Sequence, residues 1–143
     1  MSKGLNYIGI ARKSGSIETG EENTAMLVKA GKAKLVIVAA DTSANAKKRA
    51  EGYVFSSETP IVEVPYTKEE LSDRMGKTGC SMAAFTDIGL ASSFVNALKD
   101  EFGEKYEPIS AVLEEKSKKA AQRRKEAKAH QRNLKHGTRR KNV

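Results

Sequence analysis

The spacing of apolar residues predicts an α/β protein: a three-layer α/β/α sandwich around a four-stranded mixed sheet, followed by a basic C-terminal tail that is helical or disordered. Three observations carry this. Strand-like runs at 35–40, 61–64 and 81–86 alternate with segments of helical periodicity, as when helices cover both faces of a sheet. Leu35 to Ala40 is an unbroken apolar run, which suits a central strand buried on both sides. The whole net charge of +8 lies late in the chain: residues 1–103 hold 13 basic and 13 acidic side chains, residues 104–143 hold 13 and 5.

The elements follow in order. Leu5, Ile8 and Ala11 repeat at helical spacing, Arg12 and Lys13 suit the negative end of the helix dipole, and Gly15 can stop the helix. Ser16 to Thr19 is a short strand. Gly20 to Ala30 is a second helix that buries Thr24, Leu27 and Val28 and stops at Gly31, with Thr19 and Glu22 at capping-box spacing. Asp41, Thr42 and Ser43 close the central strand and open a third helix on Ala46, Ala50 and Tyr53. Ile61 to Val64 is the next strand. Thr67 with Glu70 is a second capping box, opening a helix that ends near Gly76. Ser81 to Thr86 is the last strand, and Asp87 caps a helix with Ile88, Ala91, Val95 and Leu98 on one face.

After Phe102-Gly103 the composition changes, and Pro108 marks a joint. Residues 1–103 are expected to fold on their own, and residues 104–143 to form a basic, largely helical tail. From Ser117 onward there are 11 basic residues, one acidic residue and few large apolar ones, too little apolar surface to fold alone. One core is all that 143 residues readily support.

Several function classes are excluded. No apolar run approaches the roughly 20 residues of a membrane span, and the N-terminus lacks the apolar stretch of a secretory signal. One cysteine forms no internal disulfide, and one Cys with two His makes no zinc site from protein ligands alone. A cytoplasmic protein without metal or cofactor is expected. Gly76-Lys77-Thr78 resembles the end of a phosphate-binding loop, but position 71 is Leu where that motif needs glycine. Cys80 has no histidine in the folded part to activate it, and both histidines lie in the tail. No catalytic residue is expected.

Thr19 to Asp41 is more specific. Gly20, Gly31, Ala33, Lys34, Leu35, Val36, Ala39 and Asp41 match without a gap the signature of the ribosomal protein family called L-seven-Ae and L-thirty-e, in which a Gly-x-Asn-Glu helix start precedes Gly-x-Ala-Lys-Leu-Val-x-x-Ala-x-Asp. The likeness continues through Pro60-Ile61, Thr67-Lys68, Leu71 and Gly76 to Thr86-Asp87. The chain resembles a bacterial-type member with a basic C-terminal extension. The resemblance implies an α/β/α fold that binds kink-turn RNA, a sharply bent duplex with tandem sheared G·A pairs. It implies contacts from Thr19, Gly20, Glu21, Glu22, Asn23 and position 26 at the second helix, together with Lys68 and the loop Lys77, Thr78, Gly79, Cys80 and Ser81. A helix start favours phosphate, and side-chain oxygens can accept from guanine. Two positions depart from the family pattern: its Asn-Glu order reads Glu22-Asn23, and its lysine three residues later is Met26. Weaker kink-turn binding is expected. Glu21 and Glu22 also have a purely structural reading, since carboxylates stabilise a first helical turn.

In the tail, Lys118, Lys119, Arg123, Arg124, Lys125, Lys128, Arg132, Arg139 and Arg140 are the expected phosphate contacts. A solvated face is the plain alternative. Membrane binding would need larger apolar anchors than the alanines between these cations. The expected function is non-enzymatic binding of structured RNA, ribosomal RNA or a kink-turn-like element, by a monomeric ribosomal or ribosome-associated protein. The alternatives are a protein-interaction module with a nonspecific nucleic-acid tail, or a substrate-recognition module related to RNA methyltransferases, for whose catalytic domain the chain leaves no room.

Overall fold

A computed structural model describes residues 2–141, with side chains as far as Gln131. The elements are α1 (Lys3–Lys13), β1 (Ile17–Thr19), α2 (Glu21–Lys29), β2 (Leu35–Val38), α3 (Ala44–Val54), β3 (Ile61–Glu63), α4 (Lys68–Met75), β4 (Met82–Phe85), α5 (Ile88–Phe102), a 3-10 turn (Glu104–Tyr106) and α6 (Glu107–Lys141). The strands lie in the order β1-β4-β2-β3, with β2 and β3 parallel and the other pairs antiparallel. This is the mixed four-stranded sheet expected from the sequence.

Strand side chains alternate between faces, and the two inner strands show what each face buries. Leu35, Ile37, Ala83 and Phe85 join the main core with Ile8, Leu71, Phe94 and Leu98, from α1, α4 and α5. Val36 and Ala84 pack instead with Val28 and Val54, and Val38 and Met82 with Ala50, from α2 and α3. Phe85 and Phe94 meet with ring centroids 5.1 Å apart. Helices therefore cover both faces of the sheet, which gives the three layers.

Most helix ends follow the local signals. Ser43 accepts from the Ala46 N–H, Asp87 accepts from Gly89 and Leu90, and Thr67 with Glu70 forms the complete capping box. The box expected from Thr19 and Glu22 is absent. Gly20 occupies the cap of α2 at φ 97°, a conformation that disfavours any side chain, so the spacing from Thr19 no longer has cap geometry.

Packing runs across residue 103. Gly103 ends α5, but Tyr106 and Leu113 are buried in the main core, with Ile109 packed against it. Pro108 falls in the first turn of α6, where its missing N–H costs no helical bond. Residues 121–131 are all exposed. The charged part of α6 thus extends a helix whose start is held by the body.

Candidate nucleic-acid interface

At one end of the sandwich, two segments far apart in sequence are fastened together. The Gly20 N–H at the β1–α2 junction donates to the Met82 carbonyl, 3.0 Å away, at the start of β4. This places the first turn of α2 next to the segment 77–81 that follows α4. The α2 start carries Glu21, Glu22 and Asn23, and each has a different environment.

Glu21 reaches across to α3 and accepts two hydrogen bonds from Arg49, at 2.6 and 3.4 Å. Those bonds, and then the carboxylate's charge, raise the Arg49 pKa. Glu22 is exposed and caps nothing among the described residues. Asn23 turns its amide NH2 back to the Thr19 carbonyl at 3.0 Å, tying the helix to β1, and its Oδ1 accepts no hydrogen bond among the described residues. That leaves an acceptor oriented by its own side-chain anchor, the atom type that pairs with guanine N–H groups. Met26, one turn on, is 66% exposed.

The segment after α4 is pinned at its base and open at its tip. Gly76 ends α4 at φ 67°, with the Arg12 guanidinium so close that an added Cβ would stand 2.5 Å from it. The Cys80 N–H donates to Ser72 Oγ at 2.9 Å, and the Ser81 carbonyl accepts from Thr42 Oγ1 at 3.1 Å and from the Ala39 N–H at 2.9 Å. Lys77, Thr78 and Gly79 are exposed between these anchors. Cys80 is not. Its side chain is buried in the main core, and burial pushes its thiol pKa up. Expected as an RNA contact, Cys80 is instead packed under the loop as a small apolar side chain, with its thiol turned away from solvent.

Lys68 opens α4, where its N–H donates to Asp41 Oδ1 at 2.8 Å. With Arg49, Thr78, Gly79 and Ser81 it lines a groove of about 510 Å³ between α3, α4 and the loop. Arg49 joins the groove to the α2 start through Glu21. Sequence reading missed it, because its partner lies 28 positions away and no local pattern marks the pair. In α6, Lys118, Lys119, Arg123, Arg124, Lys125 and Lys128 lie on exposed or half-buried turns beyond the docked segment. The side chains of Arg132, Arg139 and Arg140 lie outside the described residues.

Among the described residues no three His, Cys, Asp or Glu side chains come together as metal ligands, and no helix is long and apolar enough to cross a membrane.

The comparisons with known proteins agree with this architecture. Residues 2–95 match the model of the Ribosomal protein L7Ae/L30e/S12e/Gadd45 family. The RNA-binding protein YlxQ of Enterococcus faecium is 37% identical over 75 residues, covering 52% of this chain and 72% of its own. The large ribosomal subunit protein eL30 of Methanopyrus kandleri is 35% identical over 82 residues, covering 56% and 75%. A Bacillus halodurans protein of unknown function superposes with a TM-score of 0.64 at 24% identity, over 69% of this chain and 99% of that one. The Giardia lamblia 15.5kD RNA binding protein gives 0.53 at 20%, over 67% and 82%. The two structural likenesses establish a shared α/β/α fold and nothing finer. Fold and surface together define a small sandwich protein with a polar, groove-bearing end and a cationic helical arm. The chain belongs to the Ribosomal protein L7Ae/L30e/S12e/Gadd45 family.

Proposed function

We propose that this protein binds structured RNA without catalysis, as a cytoplasmic, monomeric ribosomal or ribosome-associated protein. The start of α2 and the tip Lys77–Gly79 recognise a bent element of the kink-turn kind, and the outer turns of α6 supply phosphate contacts. The observation that carries this reading is the hydrogen bond from Gly20 to Met82. It holds the oriented Asn23 acceptor and the open loop tip on one end of the molecule, in the arrangement that the family resemblance implies. Two relatives support RNA as the ligand by their own descriptions, one an RNA-binding protein and one a ribosomal subunit protein. In this reading the base-edge acceptors on the sandwich give discrimination, while the cations on α6 give salt-sensitive affinity.

Titration of the full chain with a kink-turn RNA and with a straight duplex of equal length tests the proposal. The kink-turn should bind more tightly, and Asn23→Ala should remove most of that preference. Met26→Lys should strengthen binding and steepen the salt slope by about 0.7 to 0.9, one phosphate contact. Equal affinities for the two RNAs in the wild type would refute the assignment.

A further inference from the structure

At the other end of α2, α6 passes beside the loop that leads into β3 and closes a groove of about 530 Å³. Lys34, Lys116, Lys119 and Arg123 line it, against a single lining carboxylate, Glu58. These cations are not all on a free tail. Lys34 precedes β2 in the body, and Lys116 Nζ donates to the Glu58 carbonyl at 2.9 Å, fastening α6 to the loop. Lys119 also pairs with Glu115 at 3.5 Å, but an exposed helical pair of this kind is weak and yields readily to a phosphate.

The chain segment that enters this groove begins with an exposed aromatic residue. Phe55, which ends α3, is 90% exposed, the highest among the large apolar side chains described, and it lies two residues before the groove-lining Ser57. An isolated exposed aromatic needs no explanation. An aromatic face next to a cationic groove is how proteins hold unpaired RNA, with a base on the ring and the backbone along the charges. Cations alone would serve an acidic peptide equally; the ring favours a nucleobase.

We propose that this groove is a second RNA site, for a single-stranded segment. Nine residues of α2 separate it from the Gly20 junction, about 13 Å at helical rise. One protein could then hold a folded element at one end and its unpaired flank at the other. The groove needs α6, which lies beyond the residues that match the family model. The site does not require the α2 start to bind RNA.

The test uses the full chain and a labelled single-stranded oligouridylate of about ten nucleotides, within the usual site sizes, titrated over a range of salt. Phe55→Ala should weaken binding about tenfold, the order of one base stack, and leave the salt slope unchanged. Lys34→Gln and Arg123→Gln should each flatten the slope by about 0.7. Asn23→Ala should change neither quantity, which separates this site from the α2 surface. Phe55, Lys34 and Arg123 are exposed and Asn23 is half-buried, and unchanged melting temperatures will show that the fold persists. Wild-type binding by either Phe55→Ala or Lys34→Gln would overturn the proposal, since a tail acting alone uses neither residue. Displacement of the RNA by oligoglutamate at equal charge concentration would overturn it in favour of an acidic protein partner.

Discussion

Cutting the chain after Gly103 removes more than a charged tail. Tyr106 and Leu113 are 4% and 0% exposed and belong to the main core, with Ile109 partly buried against it. Burial of a large apolar side chain stabilises a fold by about 1.5–3 kcal/mol, so loss of these two costs roughly 3–6 kcal/mol. The cut also removes the Ser110 and Glu114 partners of Asn96 and the Glu107 partner of Lys99. A domain of this size has about 5–15 kcal/mol in total. Residues 1–103 should therefore melt roughly 10–25 °C below the full chain, at about 4 °C per kcal/mol, and bind dyes that report exposed apolar surface. Residues 1–120 keep the docked turns of α6 and should melt close to the full chain. Leu113→Ala in the full chain isolates one contact and should cost about 2–5 kcal/mol. Thermal unfolding followed by far-ultraviolet circular dichroism compares all four proteins. A 1–103 fragment as stable as the full chain would refute the claim that the fold ends in α6.

Thr67→Ala breaks the capping box at α4 and should lower stability by about 1 kcal/mol in urea unfolding. The Lys3 backbone N–H, and then the Ser2 hydroxyl, hold Glu101 below the ordinary carboxylate value of 4.5. A depressed folded value stabilises the protein above the unfolded value, and that contribution is lost as pH falls through the folded one. Glu101→Gln should accordingly flatten the fall in stability below pH 4.5. Because burial raises the Cys80 pKa, a thiol reagent at neutral pH should label the native protein far more slowly than the urea-unfolded chain.

Where local chemistry decides, the sequence carries the structure. The Leu35–Val38 run is a central strand because every position in it is buried, and Thr67 and Asp87 cap the helices that they precede. Where distant segments decide, it does not. The cap of α2 falls on Gly20 because that residue also bonds to Met82 across the sheet, and no local spacing encodes the bond. Cys80 sits in a stretch of polar residues and is buried by the fold beneath it. Arg49 acquires its place at the interface from Glu21 on another helix. The docking of α6 had a signal: Tyr106, Ile109, Ser110 and Leu113 recur at helical spacing on one face. Charges on the exposed faces of the same turns obscure it, since composition averages over all faces of a helix.

The central claim, that structured RNA is recognised at the end of the sandwich where Gly20 meets Met82, is tested most directly by backbone amide NMR. The spectrum of the full chain is followed as a kink-turn RNA is added. The largest shifts should fall on Gly20 to Asn23 and on Lys77 to Gly79, and shifts along the outer turns of α6 should fade as salt is raised. Shifts confined to α6, with the Gly20–Asn23 amides unmoved at saturation, would contradict the account.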